Sequence, residues 1–143
     1  MSYVNDSDLV GLIPPDFLTQ ALDDNGDGVA DDGLLDLIIA QASEEIDGYI
    51  GRRYPLPLLT PYPEVITSSA KALAAEALYK RRGIEDQKNP WSAKARSIRM
   101  LLQSIAQGTT PLSHTLNRQD PSASIVTEPM GTTVNRRYAR NSA

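Results

Sequence analysis

Four prolines stand within nine residues, at Pro55, Pro57, Pro61 and Pro63 of the stretch "PLPLLTPYP". Proline lacks an amide hydrogen and fixes φ, so this run is neither a helix interior nor a central strand. It is expected to be extended and stiff, partly polyproline II, with its Tyr and Leu side chains laid over neighbouring helices. Any fold must accommodate this joint between the chain's two strongest helical patterns.

The first of those patterns precedes the joint. Leu34, Leu35, Ile38, Ile39, Ala42, Ile46, Tyr49 and Ile50 recur at three- and four-residue spacing, which predicts an amphipathic helix ending near Gly51. The second follows it. Pro63 and Glu64 open a helix through Val65, Ile66, Ala70, Leu73, Ala74, Ala77 and Leu78 to Arg82, closed by Gly83. Alanines at 70, 72, 74, 75 and 77 make it thin, so other helices can approach closely. A last helix is predicted within "NPWSAKARSIRMLLQSIAQG", with Asn89 as cap and Gly108 as terminator. Its buried stripe is Trp91, Ala95, Ile98, Leu101, Leu102 and Ile105, and Lys94, Arg96 and Arg99 face outward. Two short helices come first: one capped by Asn5, Asp6 or Ser7 and stopped at Pro14–Pro15, the next opened by Pro15 and Asp16.

From Thr109 the pattern collapses into Ser, Thr, Pro, Asn and Arg. "SASIVTEP" and "GTTVNRRYARN" are candidate short strands. A segment this sparse in apolar residues cannot bury itself well and needs a neighbour to order it. The expected fold is therefore mainly α: a helical bundle of about four to five helices over residues 1–108, followed by an extended C-terminal arm over 109–143.

Charge is unevenly placed. Residues 1–50 carry 12 acids and no Lys or Arg, whereas residues 51–143 carry 6 acids and 14 basic residues. Such polarity suits head-to-tail association of copies, acidic face to basic face, or local pairing within one chain. There is no cysteine, which excludes disulfides, thiolate nucleophiles and cysteine zinc sites. No apolar run approaches the roughly 18 residues of a membrane span, and "MSYVNDSD" has no signal-peptide features. A soluble product made in the cytoplasm is expected.

The segment "DDNGDGVADDGLLD" resembles the first part of a calcium loop. Asp23, Asn25, Asp27 and Asp31 stand at oxygen-donor positions, Val29 at the carbonyl position and Gly28 at the sharp turn. The bidentate acid of position 12 is replaced by Leu34. Asp23, Asn25, Asp27, Val29 and Asp31 are the candidate Ca2+ ligands. The alternative is structural: Asp and Asn side chains accept hydrogen bonds from nearby N–H groups, and Asp31 and Asp32 favour the positive end of the following helix. On either reading the loop sets the angle between two helices.

Catalytic patterns are missing. His114 is the single histidine, so zinc-hydrolase ligand sets cannot be assembled. Neither a phosphate-binding Gly-rich loop nor a G-x-S-x-G elbow occurs. The chain is expected not to be an enzyme and to require no cofactor. Basic residues at Lys80–Arg82, Lys88, Lys94, Arg96, Arg99, Arg136, Arg137 and Arg140 admit nucleic-acid binding, against a sequence pI of about 4.9 and scarce aromatics.

"EEIDGYIGRRYPLPL", with the aspartate-rich loop ahead of it and "MSYVNDSDLVGLIP" at the start, resembles the head–tail adaptor (head-completion) proteins of Mu-like tailed phages and prophages. The resemblance covers residues 1–107 and is most specific over 23–58. One arginine is usual where Arg52 and Arg53 stand here. The resemblance implies a helical bundle in an oligomeric ring, a dodecamer, beneath the portal protein. It also implies a stopper or tail-completion protein below, DNA passing through the lumen, no membrane, no catalytic residues and a place in the virion at the head–tail interface. In that setting the tail would be a partner-binding arm anchored by Arg136, Arg137 and Tyr138, since Tyr and Arg concentrate binding energy at interfaces. Two other readings are a calcium-responsive protein-binding module and a phage DNA-binding regulator using the helix from Trp91 to Gln107.

Overall fold

The computed structural model describes residues 2–112. Five helices follow one another: α1 (Asp6–Val10), α2 (Pro15–Leu22), α3 (Leu34–Ile50), α4 (Glu64–Arg81) and α5 (Ser92–Gln107). No strand occurs among the described residues. The fold is mainly α, as the periodicities predict. The candidate strands, His114, Arg136, Arg137 and Tyr138 all lie outside the described residues.

Local chemistry explains each boundary. Asn5 caps α1 through a reciprocal capping box: its side chain accepts from the Asp8 N–H at 3.2 Å, and the Asp8 carboxylate accepts from the Asn5 N–H at 3.0 Å. Proline occupies the first turn of α2, where its missing N–H is no loss. Gly83 closes α4 with a φ of 80°, and Gly108 closes α5 with a φ of 86°. Both are left-handed positions that a β-carbon would disfavour. The last helix begins at Ser92, three residues past the expected cap Asn89. Asn89 is not a simple surface cap: it is buried, its Oδ1 accepts from the Trp91 N–H at 2.9 Å and its Nδ2 donates to the Glu76 carbonyl at 3.3 Å. The turn before α5 is thereby tied to α4.

α4 is the central helix and packs against the other four. That placement explains its weak amphipathicity, because a helix covered by neighbours along most of its length keeps little solvent face, here mainly Glu64, Ser68, Lys80 and Arg81. Ala70, Ala72, Ala74 and Ala75 are all buried inside the subunit, against Leu9, Ile39, Ile46, Ile66, Leu78, Leu102 and Ile105 in the same core. The thin helix does allow close approach, but the helices approaching are the chain's own.

The proline joint departs from an extended rod. It turns repeatedly, its Leu56–Pro57 and Thr60–Pro61 peptide bonds are cis, and of its residues Leu58 and Pro63 are buried. Tyr54 and Tyr62 are partly buried against the core, as expected, while Leu56 and Leu59 stay exposed. Tyr62 meets Tyr3 edge to face at 4.9 Å between ring centres. Tyr3 also donates from its N–H to the Ser43 hydroxyl at 3.1 Å and from its hydroxyl to the Asp47 carboxylate. Burial first, and Asp47 second, push the Tyr3 hydroxyl well above the ordinary phenol range.

Packing continues past Gly108. Leu112 is 1% exposed, and its N–H donates to the Tyr54 hydroxyl at 3.0 Å. The packed body therefore runs four residues beyond the boundary read from composition, because one leucine found a slot beside the proline joint.

Candidate functional site

Three features gather polar side chains, the first from neighbours in sequence and the other two from residues on different helices. The first is the acidic loop between α2 and α3. Asp23 accepts three backbone hydrogen bonds, from Gly26 at 2.7 Å, Asp27 at 3.2 Å and Gly28 at 2.8 Å. Asn25 Oδ1 accepts from the Asp27 N–H, and Asp27 Oδ1 from the Val29 N–H, both at 2.9 Å. Asp31 closes the circle by accepting from the Asp24 N–H at 2.9 Å and from Asn25 Nδ2 at 3.1 Å. Gly26 and Gly28 supply φ values of 81° and 84°, which permit consecutive sharp turns. Arg81, at the end of α4, clamps the assembly: it reaches Asp24 at 2.6 Å and the Ala21 carbonyl at 3.1 Å. Candidate ligands Asp23, Asn25, Asp27 and Asp31 are thus brought together, with Val29 exposed at the tip. Their oxygens face the loop's own N–H groups. Among the described residues no three His, Cys, Asp or Glu side chains are grouped so as to hold a metal ion.

The second feature is an ion triad. Arg99 donates from Nε to Glu45 at 2.6 Å and from Nη2 to Glu76 at 2.9 Å, joining α5 to α3 and α4. Glu76 is almost wholly buried. The Glu45 hydrogen bond, opposed by burial and assisted by Glu76, raises the guanidinium further above its ordinary value, so it stays charged. Arg99 therefore does not face outward as its helical position suggests. Glu76 carried a signal that periodicity alone does not interpret: it is the one acid inside the run "AKALAAEAL".

The third feature is a pair of surface depressions. A groove of about 430 Å³ between the C-terminal halves of α3 and α5 is lined by Glu45, Gly48, Tyr49, Arg52, Gln103 and Gln107 among others. At the opposite end of α3, a cleft of about 260 Å³ gathers Asp6, Asp31, Asp32 and Asp36. Desolvation, and then the hydrogen bond with Asp36, raise the Asp6 carboxyl. The doubled arginine divides its work between neighbouring places. Arg52 lines the groove, while the Arg53 guanidinium lies over Gly108, 2.7 Å from where a β-carbon would stand.

Bacteriophage Mu, Gp36 is the family whose pattern matches this chain, over residues 3–128. The chain belongs to the bacteriophage Mu Gp36 family. No match is found among curated proteins.

In this Gp36 family member the three basic residues at the C-terminal end of α4 and its cap, Lys80, Arg81 and Arg82, are already engaged. Lys80 lies 3.7 Å from both Glu76 and Asp86, Arg81 holds Asp24, and Arg82 donates to Gln20 and lies over the Phe17 ring. Phe17 in turn stacks on Tyr79 at 4.2 Å. Two acids of the acidic half, Asp24 and Glu45, thus meet arginines of the basic half inside one subunit. Lys94 and Arg96 remain exposed on α5, Lys94 beside the Trp91 ring. No helix among the described residues is long and apolar enough to cross a membrane.

The loop geometry leads to two expected results. The N–H groups of Gly28, Gly26 and Asp27 hold the Asp23 carboxyl below the usual carboxylate range. A depressed folded-state pKa contributes stability that is present above the unfolded value, about 3.9 for Asp, and is lost as pH falls through the lower folded value. An Asp23→Ala variant should therefore melt below the parent at pH 7, with the gap narrowing under acid conditions, as followed by circular dichroism. Because the loop is closed by its own hydrogen bonds and by Arg81, melting temperature should be indifferent to calcium and to a chelator. A rise of several degrees with calcium would instead make Asp23, Asn25, Asp27, Val29 and Asp31 a cation site.

Proposed function

We propose that this protein is a structural part of the phage particle, a head–tail adaptor whose copies form a ring between the portal and a stopper or tail protein. The observation that carries the reading is the family match, which spans the whole described body and runs on to residue 128. The body supplies a block braced across its helices by the Arg81 and Arg99 ion pairs, and the sequence beyond it would serve as an arm. Arg136, Arg137 and Tyr138 are its proposed anchors on a partner. The surface suits contacts between copies: an aspartate-lined cleft at one end of α3 and the exposed Lys94 and Arg96 of α5 are opposite charges on different faces. Head-to-tail contacts of that kind close into rings when the rotation allows.

Mass spectrometry of purified particles should find the protein at a fixed copy number, about twelve if the ring is a dodecamer as the sequence resemblance implies. Truncation after Leu112, which spares the core, should yield DNA-filled heads without tails. Absence from particles, or normal tail joining by the truncated protein, would count against the adaptor role.

A further inference from the structure

The two ends of α3 carry surfaces of opposite character. At its C-terminal end Arg52 and Arg53 are exposed and the proline joint begins. Leu58 is buried, and Tyr54 and Tyr62 are partly buried against the core, so the joint is pinned to the body. Between those anchors Leu56 and Leu59 are left 40% and 51% exposed. Leu56 lies close to the helix end, because a β-carbon at Gly51 would stand 3.1 Å from its Cδ1. Two exposed leucines, on a turn stiffened by Pro55, Pro57 and Pro61, thus form an apolar tip beside two cations.

At the N-terminal end lies the cleft of about 260 Å³. Asp6, Asp32 and Asp36 rim it, all exposed, and Leu18, Leu22 and Leu35 give it an apolar lining. The ion pairs among the described residues engage Asp24, Glu45, Glu76 and Asp86, and none of these three rim carboxylates. The cations in those pairs are Lys80, Arg81 and Arg99, not Arg52 or Arg53. A negative rim around leucines is complementary, in charge and in apolar surface, to leucines flanked by arginines. Over its 17 residues α3 rises about 25 Å, which keeps the tip and the cleft of one chain apart. A second copy carries the matching half.

α5 offers a competing tip, since Met100 is 65% exposed one turn from Arg96. The joint is the better donor. Its prolines and anchored neighbours have already removed freedom that binding otherwise costs, whereas Met has three rotatable bonds to immobilise.

We propose that copies of this chain join head to tail through these two ends: Leu56 and Leu59 of one copy sit on the Leu18–Leu22–Leu35 lining of the next, and Arg52 and Arg53 face its rim aspartates. The assignment deepens the adaptor reading, on which it rests for the presence of neighbouring copies, by naming the faces that meet. Contact between two different faces is heterologous and continues from copy to copy until the ring closes.

The absence of cysteine makes the test clean. Full-length protein carrying Thr60→Cys, beside Leu59, with Thr19→Cys, which lines the cleft, is concentrated and treated with a short bismaleimide. Ser97→Cys, between Arg96 and Met100, with Thr19→Cys is the competing pair. Denaturing gels should show a ladder of linked chains that grows about ten-fold faster for the Thr60 pair. Adding Asp36→Arg should slow that ladder, and Arg52→Asp in the same chain should recover it. A Thr60 ladder no faster than the Ser97 one, linkage confined to single chains, or a rate indifferent to Asp36→Arg would overturn the assignment. Copy number in particles tests the adaptor reading separately: a fixed number there without the Thr60 ladder leaves the ring standing on other faces and removes this contact alone.

Discussion

Replacing Arg99 by Met is expected to destabilise the fold by about 3 kcal/mol, seen as a lower urea midpoint with an unchanged slope. The reason is the carboxylate left behind. Glu76 has a side-chain exposure of 5%, and without Arg99 its remaining cation is Lys80 at 3.7 Å, itself half exposed. Removing one member of a buried pair usually costs about 3–5 kcal/mol, because the surviving charge stays desolvated and unpaired. The low end applies here, since Arg99 and Glu45 are each 34% exposed and water screens that half of the triad. Adding Glu76→Leu to Arg99→Met should restore most of the loss, because an apolar pair of similar volume avoids the desolvation altogether. An Arg99→Met variant within about 0.5 kcal/mol of the parent, the range of ordinary surface substitutions, would mean that the triad is a surface ornament.

Ala75→Leu should cost about 3 kcal/mol in the isolated subunit, because overpacking a closely packed core forces side chains off their rotamers and shifts backbone. Ala75 is wholly buried at the centre of α4, within the core shared by α3 and α5. Its size lets those neighbours approach, and three added carbons have no space to enter. The same change at Ala77, which is only partly buried, should be milder. The measurement separates two uses of small residues. If the alanine face served contacts between copies, Ala75→Leu would leave subunit unfolding unchanged and impair association alone. Equilibrium denaturation beside sedimentation of the same samples distinguishes these outcomes.

Much of this architecture was legible before any coordinates. The heptad-like stripe from Leu34 to Ile50, the prolines at 15 and 63 and the glycines at 83 and 108 all act within a turn or two of themselves. Their structural consequences can therefore be read locally. The acidic loop was legible for the same reason: Asp23 bonds to residues three to five positions ahead. The candidate groove was not. It needs α3 and α5 side by side, and its sequence trace is a lone glycine in an otherwise good helix. Leu112 escaped notice because it follows the point where periodicity ends, and periodicity says nothing about a single side chain in a slot.

Sequence alone determined where the helices lie to within about two residues, that the chain has no thiol and a single histidine, and that Asp23 to Asp31 form a tight turn. Only the tertiary structure decided how the charges are used. Arg99 stands 54 positions from Glu45 and 23 from Glu76, and Arg81 stands 57 from Asp24. A helical wheel places each cation on a face, but which acid shares that face depends on how three helices cross. Ion pairing acts over a few ångströms of space, and the chain's order does not encode that distance until the core has closed.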